Sequence, residues 1–470
     1  MGILGRLKPI DERGGEGGAL RRTLSWPHLM ALGIGAIVGT GILTLTGVGA
    51  ERAGPGVIIS FGIAGLVCAC AALCYAELAT MIPTSGSAYT YSYTAIGERV
   101  AWVVGWSLIL EYTVVCATVA VGWSGYFTGF MEAVGIPLPH ALIAPPATGG
   151  LFNLPAILIV AAVAGLLLIG TQESATLNIV LVAAKLLVLT MFVVLALPHF
   201  DAANFHPLMP LGFLPHTDPD GTKRGVMAAA AIIFFAFYGF DAVSTAAEEA
   251  KNPRRDLTIG IVGSMAACVV IYMAVAAGAL GALPYARFAD SAEPLALVLR
   301  ELGQAGPAKV LGIVAIVALP TVILAFLFGQ TRIFFVMARD GMLPRRAGEV
   351  NPRSGVPVIT TIATAVVVAG IAALLPLDEI AALANAGTLC AFVAVAASTL
   401  VLRRTQPDRA RIFRVPAVGL VAWIAILGCL WFFVSLPGKT QWRFVLWNVL
   451  GLAVYFGWAA RHAAGTRQGL

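Results

Sequence analysis

The chain has 470 residues, of which 59% are hydrophobic and 11% are charged, and its mean hydropathy is +0.89. A soluble protein of this length would carry about 25% charged residues. The composition therefore excludes an ordinary soluble protein and predicts an integral membrane protein. The net charge of +6 does not call for nucleic acid as a partner. Most lysines and arginines fall in loops predicted to be cytoplasmic, as the positive-inside rule expects.

Apolar runs long enough to cross a bilayer, about 20 residues each, recur along the whole chain. We predict an all-α, multi-pass protein of the inner (cytoplasmic) membrane, surrounded by lipid, with both termini in the cytoplasm. It has twelve predicted spans, at residues 24–49, 56–82, 100–130, 154–171, 176–198, 226–249, 257–283, 307–337, 357–375, 379–402, 416–436 and 442–461.

The spans divide into two groups of five and a final pair. A glycine-rich cytoplasmic tail (1–23), predicted to be flexible, precedes the first group (24–198). An extracellular loop (199–225) leads to the second group (226–402), and residues 403–470 hold the last two spans and the cytoplasmic C-terminus. Because five is an odd number, the second group enters the membrane from the opposite side, which predicts an inverted repeat.

The first span contains a glycine-rich interruption between Gly33 and Gly41. If the helix stops near Ala36 and restarts near Thr40, the second half-helix presents free N–H groups and the positive end of its dipole. Both favour an anion such as a carboxylate. The alternative is a close helix–helix contact through Gly35 and Gly39, since small residues four apart are common in packed spans.

The sixth span contains a matching interruption, from Phe234 to Asp241, with Gly239 inside it. An unwound turn at this depth exposes carbonyl groups, which accept hydrogen bonds from an ammonium group. Together the two interruptions are complementary to a zwitterion, and this predicts an α-amino acid as the substrate. Aromatic residues here, including Phe235 and Tyr238, either line the substrate pocket, form a gate or pack in the core.

Three further residues at membrane depth are candidates for coupling. A lone ammonium such as Lys185 costs at least about 2.5–3.5 kcal/mol to insert, so it is either a fixed structural charge or a titrating group that replaces a coupling sodium ion. We favour the second interpretation. Glu111 is either a proton carrier or a hydrogen-bonded strut. Thr321 follows Pro320, which frees a carbonyl, and is a candidate to contact the Lys185 ammonium.

Other acidic residues lie nearer the cytoplasmic ends of spans. Glu77 is predicted to pair structurally with an arginine of an inner loop, and Glu248 and Glu249 to form a charge network at the inner gate. Phe235, Asp241 and Glu248 are the candidate gating residues. No nucleophile–base pair or metal-ligand cluster occurs at membrane depth in the sequence, so we predict no enzyme activity, no metal site and no cofactor.

Several longer motifs occur in a characteristic order. They are Gly-Ile-Gly-Ala-Ile-Val-Gly-Thr-Gly-Ile-Leu (33–43), Ala-Gly-Pro-Gly (53–56), Cys-Tyr-Ala-Glu-Leu-Ala (74–79), Pro-Thr-Ser-Gly-Ser-Ala-Tyr-Thr-Tyr (83–91), Phe-Phe-Ala-Phe-Tyr-Gly-Phe-Asp-Ala-Val-Ser-Thr (234–245), Glu-Glu-Ala-Lys-Asn-Pro-Arg-Arg-Asp (248–256) and Gly-Gln-Thr-Arg-Ile-Phe-Phe-Val-Met-Ala-Arg-Asp-Gly-Met-Leu-Pro (329–344). With these motifs the chain resembles the amino acid–polyamine–organocation superfamily, and within it a bacterial member of the cationic amino acid transporter family.

The resemblance implies a LeuT-like five-plus-five inverted repeat with discontinuous helices one and six, and transport by alternating access. It also implies that Lys185 occupies the place of a sodium ion, so that coupling is to protons. The residues that it places around the substrate carboxylate are Ile37, Thr40 and Gly41, next to Gly39. The carbonyls that it places around the amino group are those near Phe235, Ala236 and Tyr238, next to Gly239.

The predicted function is import of an L-amino acid, either small and neutral or cationic, by proton symport. An amino acid exchanger and an amine or polyamine carrier are the alternatives within transport. A non-transporting membrane scaffold or sensor is the alternative from another class, although the chain has no sizeable cytoplasmic domain to serve a sensor.

Overall fold

A computed structural model describes residues 5–9, 22–169, 172–219, 221–289, 291, 293–351 and 354–460. These residues form an almost entirely helical protein. The only strands among them are β1 (His216–Thr217) and β2 (Lys223–Arg224), which pair antiparallel with His216 opposite Arg224. All seven cysteines are free.

In the first half, the first predicted span is divided into three short helices, and each later span begins with a longer one. The helices of this half are α1 (Trp26–Ile37), α2 (Thr40–Leu43), α3 (Leu45–Ala53), α4 (Val57–Met81), α5 (Ser87–Ala95), α6 (Glu98–Ala133), α7 (Leu154–Ile169) and α8 (Gln172–Ala196).

The second half also begins with short helices. They are α9 (Val226–Ile233), α10 (Asp241–Thr245), α11 (Pro253–Thr258), α12 (Ser264–Ala282), α13 (Pro294–Glu301), α14 (Ala305–Ala318), α15 (Pro320–Arg339), α16 (Val358–Leu374), α17 (Leu377–Thr405), α18 (Val418–Ser435) and α19 (Gly438–Val454). A π-helical turn (Ile259–Gly263) joins α11 to α12.

Nine of the twelve predicted spans correspond to helices of the described chain that are long and apolar enough to cross a membrane. Helices α7 and α16 are apolar but shorter. Helix α19, for the last predicted span, has 17 residues and continues into a π-helical turn (Tyr455–Ala459). The all-helical membrane architecture is thus confirmed, while the count of twelve spans stays a prediction.

Burial separates the core of the fold from its periphery. Helices α9 and α10 are buried almost throughout, and α6 packs against α5, α15, α16 and α17. In contrast, α18 and α19 expose large apolar side chains. These include Leu420, Trp423, Trp431, Trp442 and Leu446. Such exposed apolar faces suit contact with lipid, because a helix in water would bury them.

The tail is more ordered than predicted where the structure describes it. Lys8 Nζ lies 2.7 Å from the carboxylate of Asp340, and the Lys8 backbone N–H donates to the Tyr93 carbonyl. The N–H of Glu98 donates to the Arg6 carbonyl. Residues 5–9 are therefore held against the ends of α5, α6 and α15, which a polar, glycine-rich composition does not reveal. Residues 10–21 of the predicted tail lie outside the described residues.

The prediction for Glu77 is confirmed. Its carboxylate accepts two hydrogen bonds from the Arg403 guanidinium, at 2.7 and 2.6 Å, and one from Arg411 Nε at 3.1 Å. The backbone N–H of Val415 is a further donor at 2.8 Å. This buried ion-pair network ties the end of α4 to the connection between α17 and α18.

Candidate functional site

The first interruption is present where the sequence predicts it. Helix α1 ends at Ile37, Val38 and Gly39 are extended, and α2 begins at Thr40. Among the described residues, no acceptor bonds the backbone N–H groups of Gly39, Thr40 or Gly41. The first N–H groups of a helix have no partner within it, so α2 presents a cluster of free donors inside the protein.

The carbonyl end of α1 is bonded by side chains from other helices. Lys185 Nζ, on α8, donates to the Val38 carbonyl at 2.8 Å and to the Gly35 carbonyl at 3.1 Å. The hydroxyl of Tyr272, on α12, donates to the Ile37 carbonyl at 2.7 Å. These donors replace the helical partners that the carbonyls lose where α1 stops.

Lys185 also joins α1 to α15. Its Nζ lies 2.7 Å from Thr321 Oγ1, and that hydroxyl donates to the Ala318 carbonyl at 2.7 Å. The Lys185 side chain is only 3% exposed. The predicted contact between Lys185 and Thr321 is therefore present, and the ammonium has three acceptors in place of water.

The second interruption is also present. Helix α9 ends at Ile233, a single 3₁₀ turn covers Phe234–Ala236, and α10 begins at Asp241. Gly239 has φ +120°, a conformation that residues with a side chain rarely adopt. In the described structure the carbonyls of Phe235, Ala236 and Tyr238 accept no hydrogen bond. The segment thus presents free acceptors.

The two interruptions touch each other. A Cβ added at Gly41 would collide with the backbone of Ala236, and one added at Gly239 would lie 2.9 Å from the carbonyl carbon of Ala36. Only glycine permits this approach of the two backbones. The predicted residues Ile37, Gly39, Thr40 and Gly41 are therefore brought together with the second segment, and free N–H groups lie near free carbonyls.

Asp241 holds the second interruption in shape. Its carboxylate accepts from the Gly239 N–H at 3.1 Å and from the Tyr112 hydroxyl at 2.5 Å. The amide of Asn385, on α17, donates to the Ala231 carbonyl at 2.8 Å, near the end of α9. These contacts show a positioning role for Asp241, while its role in gating stays a prediction.

The aromatic residues of the second segment divide into two groups. The rings of Phe235 and Tyr238 lie 5.0 Å apart, and the Tyr238 hydroxyl has no hydrogen-bond partner among the described residues. Phe237 packs against Phe61 and Tyr272 instead. Phe240 packs against Tyr75 and Phe392. Phe235 and Tyr238 thus remain candidates for the pocket, whereas Phe237 and Phe240 belong to the core.

Glu111 is fully buried on α6, beside Gly387 of α17. Neither carboxylate oxygen has a hydrogen-bond partner within the described chain. An unpaired buried carboxylate is costly to keep charged. The roles of proton carrier and hydrogen-bonded strut both stay predictions for Glu111.

The acidic residues after α10 form the predicted charge network. Glu248 accepts from the guanidinium of Arg339 at 3.0 and 3.2 Å and from the Ser85 N–H at 3.1 Å. Glu249 pairs with Arg332 at 3.0 Å. Both pairs join the segment after α10 to α15.

Sequence reasoning missed three polar residues that complete the site. Tyr272 bonds the end of α1, Tyr112 bonds Asp241, and Asn385 bonds α9. Each is a hydrogen-bonding residue within an apolar span, where a polar group needs a partner. That signal is visible in the sequence, but it does not identify which backbone group each side chain bonds.

Comparison with known proteins identifies the family. The sequence model of the amino acid permease family matches residues 24–456. The chain is 45% identical over 449 residues to the branched-chain amino acid permease BcaP of Bacillus subtilis, a match that covers 95% of this chain and 94% of the relative.

Two further relatives have other named substrates. A methylthioribose transporter of Bacillus subtilis is 40% identical over 468 residues, covering 98% of this chain and 99% of the relative. The vacuolar cationic amino acid transporter 2 of Arabidopsis thaliana is 38% identical over 409 residues, covering 86% of this chain and 63% of the relative. These relatives are transporters, which confirms that the chain is not an enzyme and supports a membrane location. The chain belongs to the amino acid permease family of the amino acid–polyamine–organocation superfamily.

Proposed function

We propose that this protein imports an L-amino acid together with a proton by alternating access. The observation that carries the proposal is the contact between the two interruptions. Free N–H groups at the start of α2 lie near free carbonyls after α9. A zwitterion, with a carboxylate and an ammonium on one carbon, is complementary to this pair of backbone segments.

In this proposal the substrate carboxylate binds the first interruption. The N–H groups of Gly39, Thr40 and Gly41 are the donors, and Ile37 ends the preceding half-helix. The positive end of the α2 dipole adds to these hydrogen bonds, although α2 has only four residues.

The amino group of the substrate binds the second interruption. The carbonyls of Phe235, Ala236 and Tyr238 are the acceptors, and Gly239 supplies the turn that exposes them. The ring of Phe235 and the unpaired hydroxyl of Tyr238 border the substrate side chain. Phe235 and Asp241 contribute to the outer gate, and Glu248 to the inner gate through Arg339.

Proton coupling is assigned to Lys185, with Thr321 and Glu111. A protonated Lys185 bonds the end of α1 to α15, as a sodium ion would. After it loses its proton, the neutral amine has one donor fewer and no charge, so the end of α1 is held less tightly. Substrate release and proton release are then linked through α1. Glu111, buried without a partner on α6, is the second proton carrier.

We propose the same arrangement of the helices that the sequence predicts. Twelve spans form a LeuT-like inverted repeat of residues 24–198 and 226–402, followed by the last two spans in residues 403–470. Both termini lie on the cytoplasmic side of the inner membrane, and the loop 199–225 lies outside. This orientation follows from the distribution of lysine and arginine in the loops.

Uptake by the purified protein in proteoliposomes tests the coupling. We expect an inward proton gradient to drive accumulation of a labelled amino acid, and Lys185→Ala to abolish it. The matched variant Lys309→Ala, which removes a lysine near the start of α14, should leave accumulation unchanged. Proton-driven uptake of normal size in Lys185→Ala would remove Lys185 from the mechanism.

A thermal-shift series of amino acids tests the substrate class. A shift with branched-chain or other small neutral amino acids would agree with the relative BcaP, and a shift with lysine or arginine with the cationic transporters. Methylthioribose must be included, because a relative of almost equal similarity is named for it. Stabilisation by methylthioribose alone would overturn the zwitterion proposal, since this sugar has neither a carboxylate nor an ammonium group.

A further inference from the structure

A crevice that is partly open to solvent lies between the start of α1, α8 and α15. Its polar lining residues are Thr23, His28, Asn178, Glu249 and Thr321, and the remaining lining is apolar. The crevice thus extends from the segment before α1, at one end, to the residue that bonds Lys185, at the other.

The inner end of the crevice is directly connected to the Lys185 site. Thr321 lines the crevice and lies 2.7 Å from Lys185 Nζ. The carboxamide of Asn178 lies against Gly35, whose carbonyl also accepts from Lys185. Asn178 is 7% exposed, and its Oδ1 has no partner among the described residues. A buried acceptor of this kind is suited to an ordered water.

The outer end of the crevice carries His28. This side chain is half-buried near the start of α1, and its Nδ1 lies 2.8 Å from Ser25 Oγ. The contact fixes the ring and leaves Nε2 to exchange a proton with water. Histidine is the side chain whose ordinary pKa lies closest to physiological pH.

His28 and Glu249 are the titratable residues among those that line the crevice. Glu249 is already paired with Arg332, whose Nε and Nη2 both lie 3.0 Å from Glu249 Oε1. The Arg332 guanidinium already occupies the Glu249 carboxylate, so we take His28 as the proton acceptor. Charged residues on the helices that pack against α1 include Lys185, Asp241, Arg254, Arg255, Asp256, Arg332 and Arg339.

We infer that this crevice is the route by which the coupling proton leaves Lys185 for the cytoplasm, and that His28 accepts the proton at its outer end. The inference rests on the proposed function, including its orientation and the coupling role of Lys185. Thr321 and Asn178 are positioning residues that hold the inner end of the route.

One proton passes from Lys185 to the cytoplasm in three transfers. The Lys185 ammonium gives one proton to water in the crevice, which leaves a neutral amine. The hydrated proton then passes to Nε2 of His28, which becomes an imidazolium. His28 returns to its neutral form by giving the proton to cytoplasmic water or buffer. Loss of the Lys185 charge weakens its hydrogen bonds to the carbonyls at the end of α1.

The test compares two activities of the full-length protein in proteoliposomes. Net uptake driven by a proton gradient requires proton release into the lumen, whereas counterflow of labelled amino acid at equal pH does not. We expect His28→Gln to lower net uptake by roughly tenfold or more, because a positioned proton carrier contributes about 10²–10⁴-fold. Counterflow should stay at the level of the unchanged protein, and imidazole in the lumen should restore net uptake.

Two controls separate a proton carrier from a structural residue. His140→Gln changes an exposed histidine of a loop and should leave both activities unchanged. Ser25→Ala removes the contact that fixes the His28 ring and should lower net uptake less than His28→Gln does, again with normal counterflow.

The outcomes also separate this inference from the proposed function. Normal net uptake in His28→Gln, with uptake abolished in Lys185→Ala, would overturn the exit route and leave the coupling intact. Loss of both net uptake and counterflow in His28→Gln, without rescue by imidazole, would assign His28 a structural role and also overturn it. Normal coupling in Lys185→Ala would instead overturn the proposed function.

Discussion

Each of the two segments interrupts a helix, but different contacts hold them in place. The first is held from outside, because Lys185 of α8 and Tyr272 of α12 bond the carbonyls at the end of α1. The second is held partly from within, because the Asp241 carboxylate accepts from the N–H of Gly239 two residues earlier, and partly by Asn385 of α17, which donates to the Ala231 carbonyl. Tyr112 supports it through a single hydroxyl.

This difference indicates which of the two is suited to move. In the proposed mechanism, loss of one proton weakens the hydrogen bonds from Lys185, so the position of α1 responds to protonation. A turn that is bonded by its own neighbouring residues keeps its shape while its surroundings change. We therefore expect the first interruption to carry the coupling and the second to provide a fixed surface for the substrate.

The largest effect is expected from Gly239→Ala. The positive φ would impose a strain of about 1–3 kcal/mol, and the new Cβ would lie 2.9 Å from the carbonyl carbon of Ala36. Uptake in proteoliposomes should fall to background, and the thermal unfolding midpoint should decrease. Gly165→Ala in α7 is the control, since its added Cβ meets nothing within 4 Å. Normal uptake by Gly239→Ala would contradict a rigid second interruption.

A smaller effect is expected from Asp241→Ala. It leaves the Tyr112 hydroxyl and the Gly239 N–H without their acceptor, at a cost of about 1–3 kcal/mol for each buried group. The unfolding midpoint and the rate of uptake should both fall, but the pH dependence of the remaining uptake should be unchanged.

Asp241→Asn retains one acceptor oxygen and should lose less stability than Asp241→Ala. If either variant shifted the pH dependence of uptake, proton coupling would extend to the second interruption. The distinction drawn between the two segments would then be wrong.

The smallest effect is expected from Tyr272→Phe, which removes one hydrogen bond to the end of α1. A net loss of about 0.5–1.5 kcal/mol in stability is expected for one such bond, measured as a modest decrease in the unfolding midpoint. Tyr75→Phe is the matched control, because the Tyr75 hydroxyl is buried without a partner in the described structure. It should leave stability unchanged or raise it. Equal losses in the two variants would mean that the bond to Ile37 contributes nothing.

Much of the fold could be predicted from the sequence, because the length of an apolar run and the position of a glycine are local features of the chain. Runs of apolar residues identify most of the membrane helices. The clusters around Gly39 and Gly239 mark where two of them are interrupted, and its position in the middle of a span marks Lys185 as unusual. The short helices α7 and α16 show the limit of this approach, since an apolar run does not determine where a helix begins and ends.

The partners of these residues were decided only by the tertiary structure. Lys185 is 147 residues from Val38 and 136 from Thr321 along the chain, and no local pattern records that the three meet. The same holds for the bond from Tyr272 of α12 to the end of α1 and for the contacts of residues 5–9. Sequence periodicity shows which groups need a hydrogen-bond partner in the membrane, whereas the packing of distant helices determines which partner each group obtains.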